Sequence, residues 1–327
     1  LFGAAADQAV CSRALRLANG GRQIQFHQGE PMRVVLEEEC LRDGLQAEDR
    51  LFSLSEKMEI VRLLAEAGVG RLQVGSFVNP RSVPQVANTD VLVSLVRQQY
   101  PNILCTALVL NEKGLERAVR CGLHHLSMSV SVSDSHSRTN SGRPAAEALE
   151  SITGLIALAV GEGIAVRAGV MCAFGGVDDE RIAEEVVLDA AHRLAEAGAA
   201  EINLADTTGM AGPVQVRSLV GRIRAALPQV ALSLHCHDTS GLGLVNLYAA
   251  YEAGVRIFDV AAGGLGGCPC VDGAGGNVAT EEAVHLFHGM GVETGFDLTR
   301  LGKVVACFEQ LLGRPLGKPL FRKMWQP

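Results

Sequence analysis

Aromatic side chains are scarce: one Trp, three Tyr and ten Phe make up 4% of the 327 residues. A chain this poor in rings has little with which to stack nucleic-acid bases. A basic excess is missing too, because 29 Lys and Arg stand against 36 Asp and Glu, for a net charge of −7. No uniformly basic surface is therefore available to grip nucleic acid. Membrane-length apolar runs are absent as well. The best candidate, from Ile152 to Val160, is broken by Gly161-Glu162-Gly163. The nine cysteines follow no framework spacing, which points to reduced thiols in a cytosol-like compartment and to a cytoplasmic protein. Residues 1–31 carry Arg13, Arg16 and Arg22 among alanines but also Asp7 and Glu30, without the apolar core and cleavage site of a signal peptide. They read as an N-terminal extension, a mitochondrial remnant being the weaker alternative.

What the chain has in abundance is glycine, 37 residues, within a composition that is 48% hydrophobic. No Gly-X-Y period exists, so collagen is excluded, and the apolar content excludes disorder. The length suits one large barrel or two modest α/β domains. Short apolar runs settle the organisation: Val34 to Leu36, Arg71 to Val74, Ile103 to Leu110, His125 to Val132, Ala165 to Met171, Glu201 to Leu204, Ala231 to Leu234 and Ile257 to Ala261. Between them lie helical patterns at Ser55 to Ala67, Glu112 to Arg120, Ala145 to Val160, Asp179 to Ala197, Val214 to Leu227 and Leu244 to Ala253. Three of these close alike, on Glu-Ala-Gly ending at Gly68, Gly198 and Gly254, each glycine suited to a left-handed helix cap. Eight β/α units predict a TIM (β/α)8 barrel over residues 32–327, a single domain, with Thr280 to Gly289 closing it and Leu298 to Leu312 as an extra C-terminal helix. A doubly wound sheet is disfavoured because no Gly-x-Gly-x-x-Gly follows the first strand.

In a barrel, function is sought at the carboxyl ends of the strands. The first strand ends in Arg42-Asp43-Gly44-Leu45-Gln46 and the seventh in His235-Cys236-His237-Asp238. Two histidines two apart on a strand point the same way. They read either as metal ligands, with Asp43 a third from across the barrel, or as two hydrogen-bonded imidazoles closing the mouth. After the eighth strand, Gly263 to Asn277 is dense in glycine and contains Cys268. Lacking a following Gly-Lys-Ser/Thr it is no phosphate-binding loop. A lid carrying Cys268 is the functional reading and a flexible surface loop the plain one. Cys268 and Cys270 are too few and too close for a zinc knuckle. The serine-rich stretch Ser129 to Gly142 reads as a polar loop after the fourth strand.

These stretches together resemble the hydroxymethylglutaryl-CoA lyase family, within a larger group of metal-dependent TIM-barrel lyases and Claisen synthases. The likeness runs from about Val34 to Glu282. It is carried by Arg42-Asp43-Gly44-Leu45-Gln46, Ser76-Phe77-Val78-Asn79-Pro80 with Val83-Pro84-Gln85, Asp206-Thr207-Thr208-Gly209, His235-Cys236-His237-Asp238-Thr239, and Gly263 to Glu282 with its Gly-Gly-Cys-Pro core. The resemblance implies a divalent cation, Mg²⁺ or Mn²⁺, on Asp43, His235, His237 and Asn277. It implies a CoA-thioester substrate split into acetoacetate and acetyl-CoA, with Arg42 neutralising the enolate oxygen and Cys268 helping to protonate the enolate. Asp206 resembles a carboxylate beside the metal's water or the substrate hydroxyl, and Gln46 and Ser76 substrate contacts. His136, Arg138, Arg143 and Arg81 are candidates for the anionic groups of CoA. A homodimer is implied as well.

One position departs from the pattern. The family usually has a glutamate on the second strand where this chain has Gln73 within Leu72-Gln73-Val74-Gly75-Ser76. The swap removes a negative charge, so the mouth is expected to be one unit more positive, with either a changed substrate or weakened catalysis as the result. If Gln73 is a deficit, restoring glutamate raises turnover. Glu38, in the run Glu37-Glu38-Glu39, aligns with a family acidic position. Two other functions stay open: a Claisen-type synthase, disfavoured because such enzymes read His-x-His-Asn-Asp, and a non-catalytic ligand-binding barrel.

Overall fold

The computed structural model describes residues 32–177, 180–267 and 275–317. The N-terminal extension and the Cys268–Cys270 segment lie outside these residues. Eight strands form a closed parallel barrel in chain order: β1 (Val35–Glu38), β2 (Arg71–Ser76), β3 (Leu104–Leu108), β4 (His125–Ser131), β5 (Ala165–Met171), β6 (Glu201–Asp206), β7 (Ala231–Cys236) and β8 (Ile257–Val260). β8 returns to β1 in the register Val35↔Ile257 to Glu38↔Val260. The chain is a TIM barrel, and every expected strand is present.

Alternation along the strands explains why the barrel closes. Leu36, Leu72, Val166, Ile202, Leu234 and Phe258 are buried in the apolar core. Their neighbours Glu37, Gln73, Arg167, Asn203, His235 and Asp259 take the opposite face and are also buried. Helices over the outer face supply the partners for the first set, and the second set fills the barrel. The helix Leu54–Ala67 shows how the ends are fixed. Ser53 Oγ accepts the Glu56 N–H at 3.3 Å while the Glu56 carboxylate accepts the Ser53 N–H at 2.8 Å, a reciprocal cap at its N-terminus. It stops at Gly68, whose φ of +97° no L side chain adopts freely and whose added Cβ would sit 2.2 Å from the Gly295 carbonyl oxygen. Gly198 and Gly254 repeat that left-handed geometry at φ +104° and +99°, as the shared Glu-Ala-Gly endings predict.

The structure corrects the helix pattern at three places. Thr89–Gln99 is a helix that the apolar pattern had not suggested, and Glu184–Glu196 begins later than Asp179. The supposed polar loop after β4 is largely ordered structure: β4 runs to Ser131, and Asp134–Ser141 is a helix. Ser133 Oγ caps it by accepting the His136 N–H at 3.1 Å, and Gly142 ends it at φ +72°. Only His136 and Ser137 of that helix are buried, so it lacks the apolar stripe by which a helix is recognised. Thr280–Gly289 and Leu298–Leu312 have the expected bounds. The second packs on Leu54–Ala67, bringing the Phe308 and Phe52 rings to 6.3 Å. No single helix among the described residues is long and apolar enough to cross a membrane.

Candidate active site

The barrel interior is ionic rather than apolar. Arg71 Nε lies 2.6 Å from Glu37 Oε2 and its Nη1 2.8 Å from Glu201 Oε2. Arg167 reaches Glu201 at 3.3 Å, Glu37 at 3.5 Å, Glu39 at 3.1 Å and, more closely, Asp259. All are buried. Interleaved charges of both signs are what make such a core tolerable, because each ion keeps a partner when it loses water.

Above this floor the chain leaves β1 through a wide helical turn, Cys40–Gly44, which swings Arg42 and Asp43 over the mouth. Turns of this kind often mark functional sites. The Arg42 guanidinium is held on three sides: Nη1 by Asp43 Oδ1 at 2.5 Å, Nη2 by Glu39 Oε2 and Nε by Gln73 Oε1. Glu39 is fully buried, and burial pushes its carboxyl up to about 7 against the pull of Arg42. Gln73 thus meets Arg42 without bringing a charge, and Glu39 sets a carboxyl group on its other side. Glu38 points elsewhere, accepting from Cys40 N and Ala262 N at 3.0 Å each and from Thr280 Oγ1 at 2.6 Å, a buried tie between β1 and the C-terminal helices.

His235 on β7 and His237 just beyond its end do face the same way, with ring centroids 5.0 Å apart. Each has one nitrogen committed. His237 Nδ1 lies 2.9 Å from the Thr207 carbonyl oxygen, which can only accept, so Nδ1 carries the proton and Nε2 the lone pair. That Nε2 is buried, lacks a hydrogen-bond partner, and sits 3.6 Å from Asp43 Oδ2. His235 Nδ1 is 3.1 Å from Asp259 Oδ2, the carboxylate–histidine pairing that orients metal-binding imidazoles. Although burial opposes a charged ring, Asp259 and Glu39 hold the His235 pKa above its usual value. Burial would likewise raise the Asp43 carboxyl, yet Arg42 and the two histidines keep it well below the usual range.

Asn277 completes the set. A β-bridge to His237 places it, and its Nδ2 donates to Asp43 Oδ2 and to the Leu265 carbonyl, both at 2.8 Å. Its Oδ1 is left buried and unpartnered. Gly266, at φ +108°, makes room: a Cβ there would fall 2.2 Å from Asn277 Nδ2 and 2.9 Å from Asp43 Oδ2. Asp43, His235 and His237 present ligand atoms within 4.8 Å of one another. Carboxylate, imidazole and amide donors with unused lone pairs fit a divalent cation. A second grouping, Glu39, His235 and Asp259, has comparable spacing, but Arg42 and Arg167 already neutralise its carboxylates.

A cavity of about 300 Å³ opens over these residues, lined by Arg42, Asp43, Gln46, His235, His237 and Gly267 among others. Gln46 is thus at the site. Ser76 is not: its Oγ donates to the Leu108 carbonyl and accepts the Val78 N–H, both at 3.3 Å, and the cavity is lined instead by Val78, Asn79, Ser82 and Val83. The register of β2 against β3 shifts between Gln73 and Ser76, which removes Ser76 from the simple alternation. Asp206 accepts the Met210 and Ala211 N–H groups at 3.2 and 3.1 Å, with its carboxyl raised by burial. It secures the loop whose Thr207 carbonyl aligns His237. His136 lines the cavity, Arg143 lines a neighbouring groove of about 1100 Å³, and Arg138 pairs with Asp134 at 2.9 Å. Residues missed by the motifs are Glu39, Arg167, Asn203 and Asp259. The available signal was polar residues at alternate positions in otherwise apolar strands. Cys268 lies outside the described residues.

The family model described as HMGL-like matches residues 33–307. The (R)-citramalyl-CoA lyase of Chloroflexus aurantiacus is 39% identical over 284 residues, 84% of this chain and 90% of that protein. The hydroxymethylglutaryl-CoA lyase of Pseudomonas mevalonii is 38% identical over 274 residues, 83% of this chain and 90% of that protein. Among solved structures, an HMG-CoA lyase from Acinetobacter baumannii in complex with coenzyme A and 3-methylmalate superposes with a TM-score of 0.83. It is 33% identical, with 89% of this chain and 94% of that one covered.

Proposed function

The chain belongs to the HMGL-like family of lyases, and from that membership we propose that it breaks a carbon–carbon bond in a 3-hydroxy-3-methyl acyl-CoA thioester bearing one free carboxylate. The observation carrying this reading is the pair of unpartnered buried acceptors, His237 Nε2 and Asn277 Oδ1, beside the Asp43 carboxylate, with Arg42, Asp43 and His237 lining one cavity. Asp43, His235, His237 and Asn277 would hold Mg²⁺ or Mn²⁺. When bound, that cation polarises the substrate's hydroxyl and carbonyl oxygens and lowers the hydroxyl pKa.

The remaining work falls to the chain. The hydroxyl proton passes to water in the cavity, the carbinol becomes a ketone as the carbon–carbon bond breaks, and the electron pair leaves as the enolate of acetyl-CoA. Arg42 meets the negative oxygen of that enolate with donors fixed in advance, the arrangement that gives the largest electrostatic benefit. Gln46 orients the substrate, and Asp206 steadies the loop beneath His237. We assign Cys268 the proton delivered to the enolate carbon.

With 3-hydroxy-3-methylglutaryl-CoA the ketone is acetoacetate. The citramalyl thioester is the second reading, favoured by the 39%-identical relative of that name. There the carboxylate sits on the carbinol carbon and the ketone is pyruvate. Incubating metal-loaded protein with each thioester and assaying acetyl-CoA, acetoacetate and pyruvate tests both. Acetyl-CoA from neither removes the proposal, and the co-product identifies the substrate.

A further inference from the structure

Gln73 is a neutral group between opposite charges, and both ends of its amide are used. Oε1 accepts from Arg42 Nε, while Nε2 donates to Glu39 Oε1 at 3.0 Å and Glu37 Oε1 at 3.3 Å. Arg42 Nη2 returns to Glu39 Oε2. Arg42, Gln73 and Glu39 therefore form a closed ring in which each side chain bonds the other two. Gln73 and Glu39 are both 0% exposed, so water cannot substitute for either. Arg167 Nη1 braces the outer side of the ring, 3.1 Å from Glu39 Oε1.

We propose that Glu39 is the positioning residue for Arg42, and that position 73 has to be neutral because Glu39 holds the ring's carboxylate. The amide meets this requirement chemically: its oxygen faces the guanidinium and its N–H₂ faces two carboxylates. A carboxylate at position 73 would keep the first contact but turn both others into buried like-charge contacts, which are costly at this depth. Gln73→Glu is then a loss and not a repair, the reverse of what position 73 suggests when considered alone. Transferring the charge, with Glu39→Gln and Gln73→Glu together, leaves one carboxylate in the ring and a donor beside it.

The kinetic part of the test rests on the lyase reading, and the spectroscopic part does not. With metal-loaded protein and the thioester it turns over, Glu39→Gln and Gln73→Glu are each expected to lower kcat about 10²-fold, the cost of a misplaced catalytic group. KM and Mn²⁺ affinity are expected to stay within about threefold of the parent, as holds when an interaction serves the transition state alone. The double variant is expected to recover at least tenfold over either single one. The Arg42 Nε–H resonance in ¹⁵N spectra is expected to be protected from exchange in the parent, exposed in Glu39→Gln and protected again in the double variant. A double variant no better than the singles overturns the proposal. So does an unchanged Arg42 signal in Glu39→Gln, or a loss of Mn²⁺ affinity that tracks kcat, since Glu39 would then act through His235, 3.9 Å away. If no thioester is turned over, the lyase reading fails by itself and the Arg42 resonance still decides this one.

Discussion

His235 Nδ1 and Asp259 Oδ2 stand 3.1 Å apart within the barrel, on neighbouring strands β7 and β8. The bond fixes the imidazole through Nδ1 and so leaves Nε2 as the ring's other donor atom. Asp259 has a pKa below the usual range, since Arg167 and His235 together outweigh the burial that raises it. It is a carboxylate that keeps its charge and orients His235.

Asp259→Asn is therefore expected to weaken divalent-cation binding about 10–100-fold, the usual cost of losing such a partner. The amide can still contact His235 but supplies no charge. Titrating Mn²⁺ by its paramagnetic signal measures this directly. An affinity equal to the parent's would mean that His235 is not a ligand held by Asp259.

Gln46 and Ser76 part company in the structure, and their variants should do the same. Gln46 lines the cavity, so Gln46→Ala is expected to raise KM severalfold with a smaller effect on kcat. Ser76→Ala removes a side chain that ties two backbone groups. It should cost about 1 kcal/mol of stability and leave KM unchanged. A KM effect of Ser76→Ala as large as that of Gln46→Ala would contradict the placement.

How far the sequence reveals this arrangement depends on whether a residue's partner is nearby in the chain. The strands were legible because Leu36, Leu72, Ile202 and Leu234 declare the outer face, and His235-Cys236-His237 was legible because its spacing is local. Arg167 was not, because its meaning lies in Glu39 and Asp259, 128 and 92 residues away. Glu39 was obscured by two neighbours of the same type, of which only the strand pleat distinguishes the inward pair from Glu38. Asp134–Ser141 was missed because its short helix is capped by serine and carries no apolar stripe.

Glu281 gives the fold a pH dependence that can be isolated. Burial raises its carboxyl to about 7 from an ordinary value of 4.5, while its Oε2 accepts the Gly263 N–H at 3.0 Å. An acid with a raised folded pKa takes up a proton on folding. Its contribution is complete below pH 4.5 and disappears as the pH climbs through 7. Glu281→Gln removes that dependence. The difference in unfolding free energy between parent and variant should shift by about 1.4 kcal/mol per pH unit within the window. Urea unfolding at several pH values between 5 and 7.5 measures it, and a constant difference would rule out Glu281 as the source.

Arg167 places the strongest demand on the barrel, because one guanidinium contacts Glu37, Glu39, Glu201 and Asp259. Arg167→Met keeps much of the volume and takes away the shared cation, leaving buried carboxylates short of partners, for which about 3–5 kcal/mol is the ordinary cost. The cost should also depend on pH in a definite sense. Burial already raises the Glu37 and Glu39 carboxyls, and Arg167 is among the groups holding them down. Without it both rise further, so at pH 5.5 protonation relieves the repulsion, while at pH 8 the charge must be either buried or neutralised at a penalty. Urea unfolding of parent and variant is expected to show a deficit clearly larger at pH 8 than at pH 5.5. An equal deficit at both would mean that Arg167 acts by filling space, and that the carboxylates around it are already neutral in the folded protein.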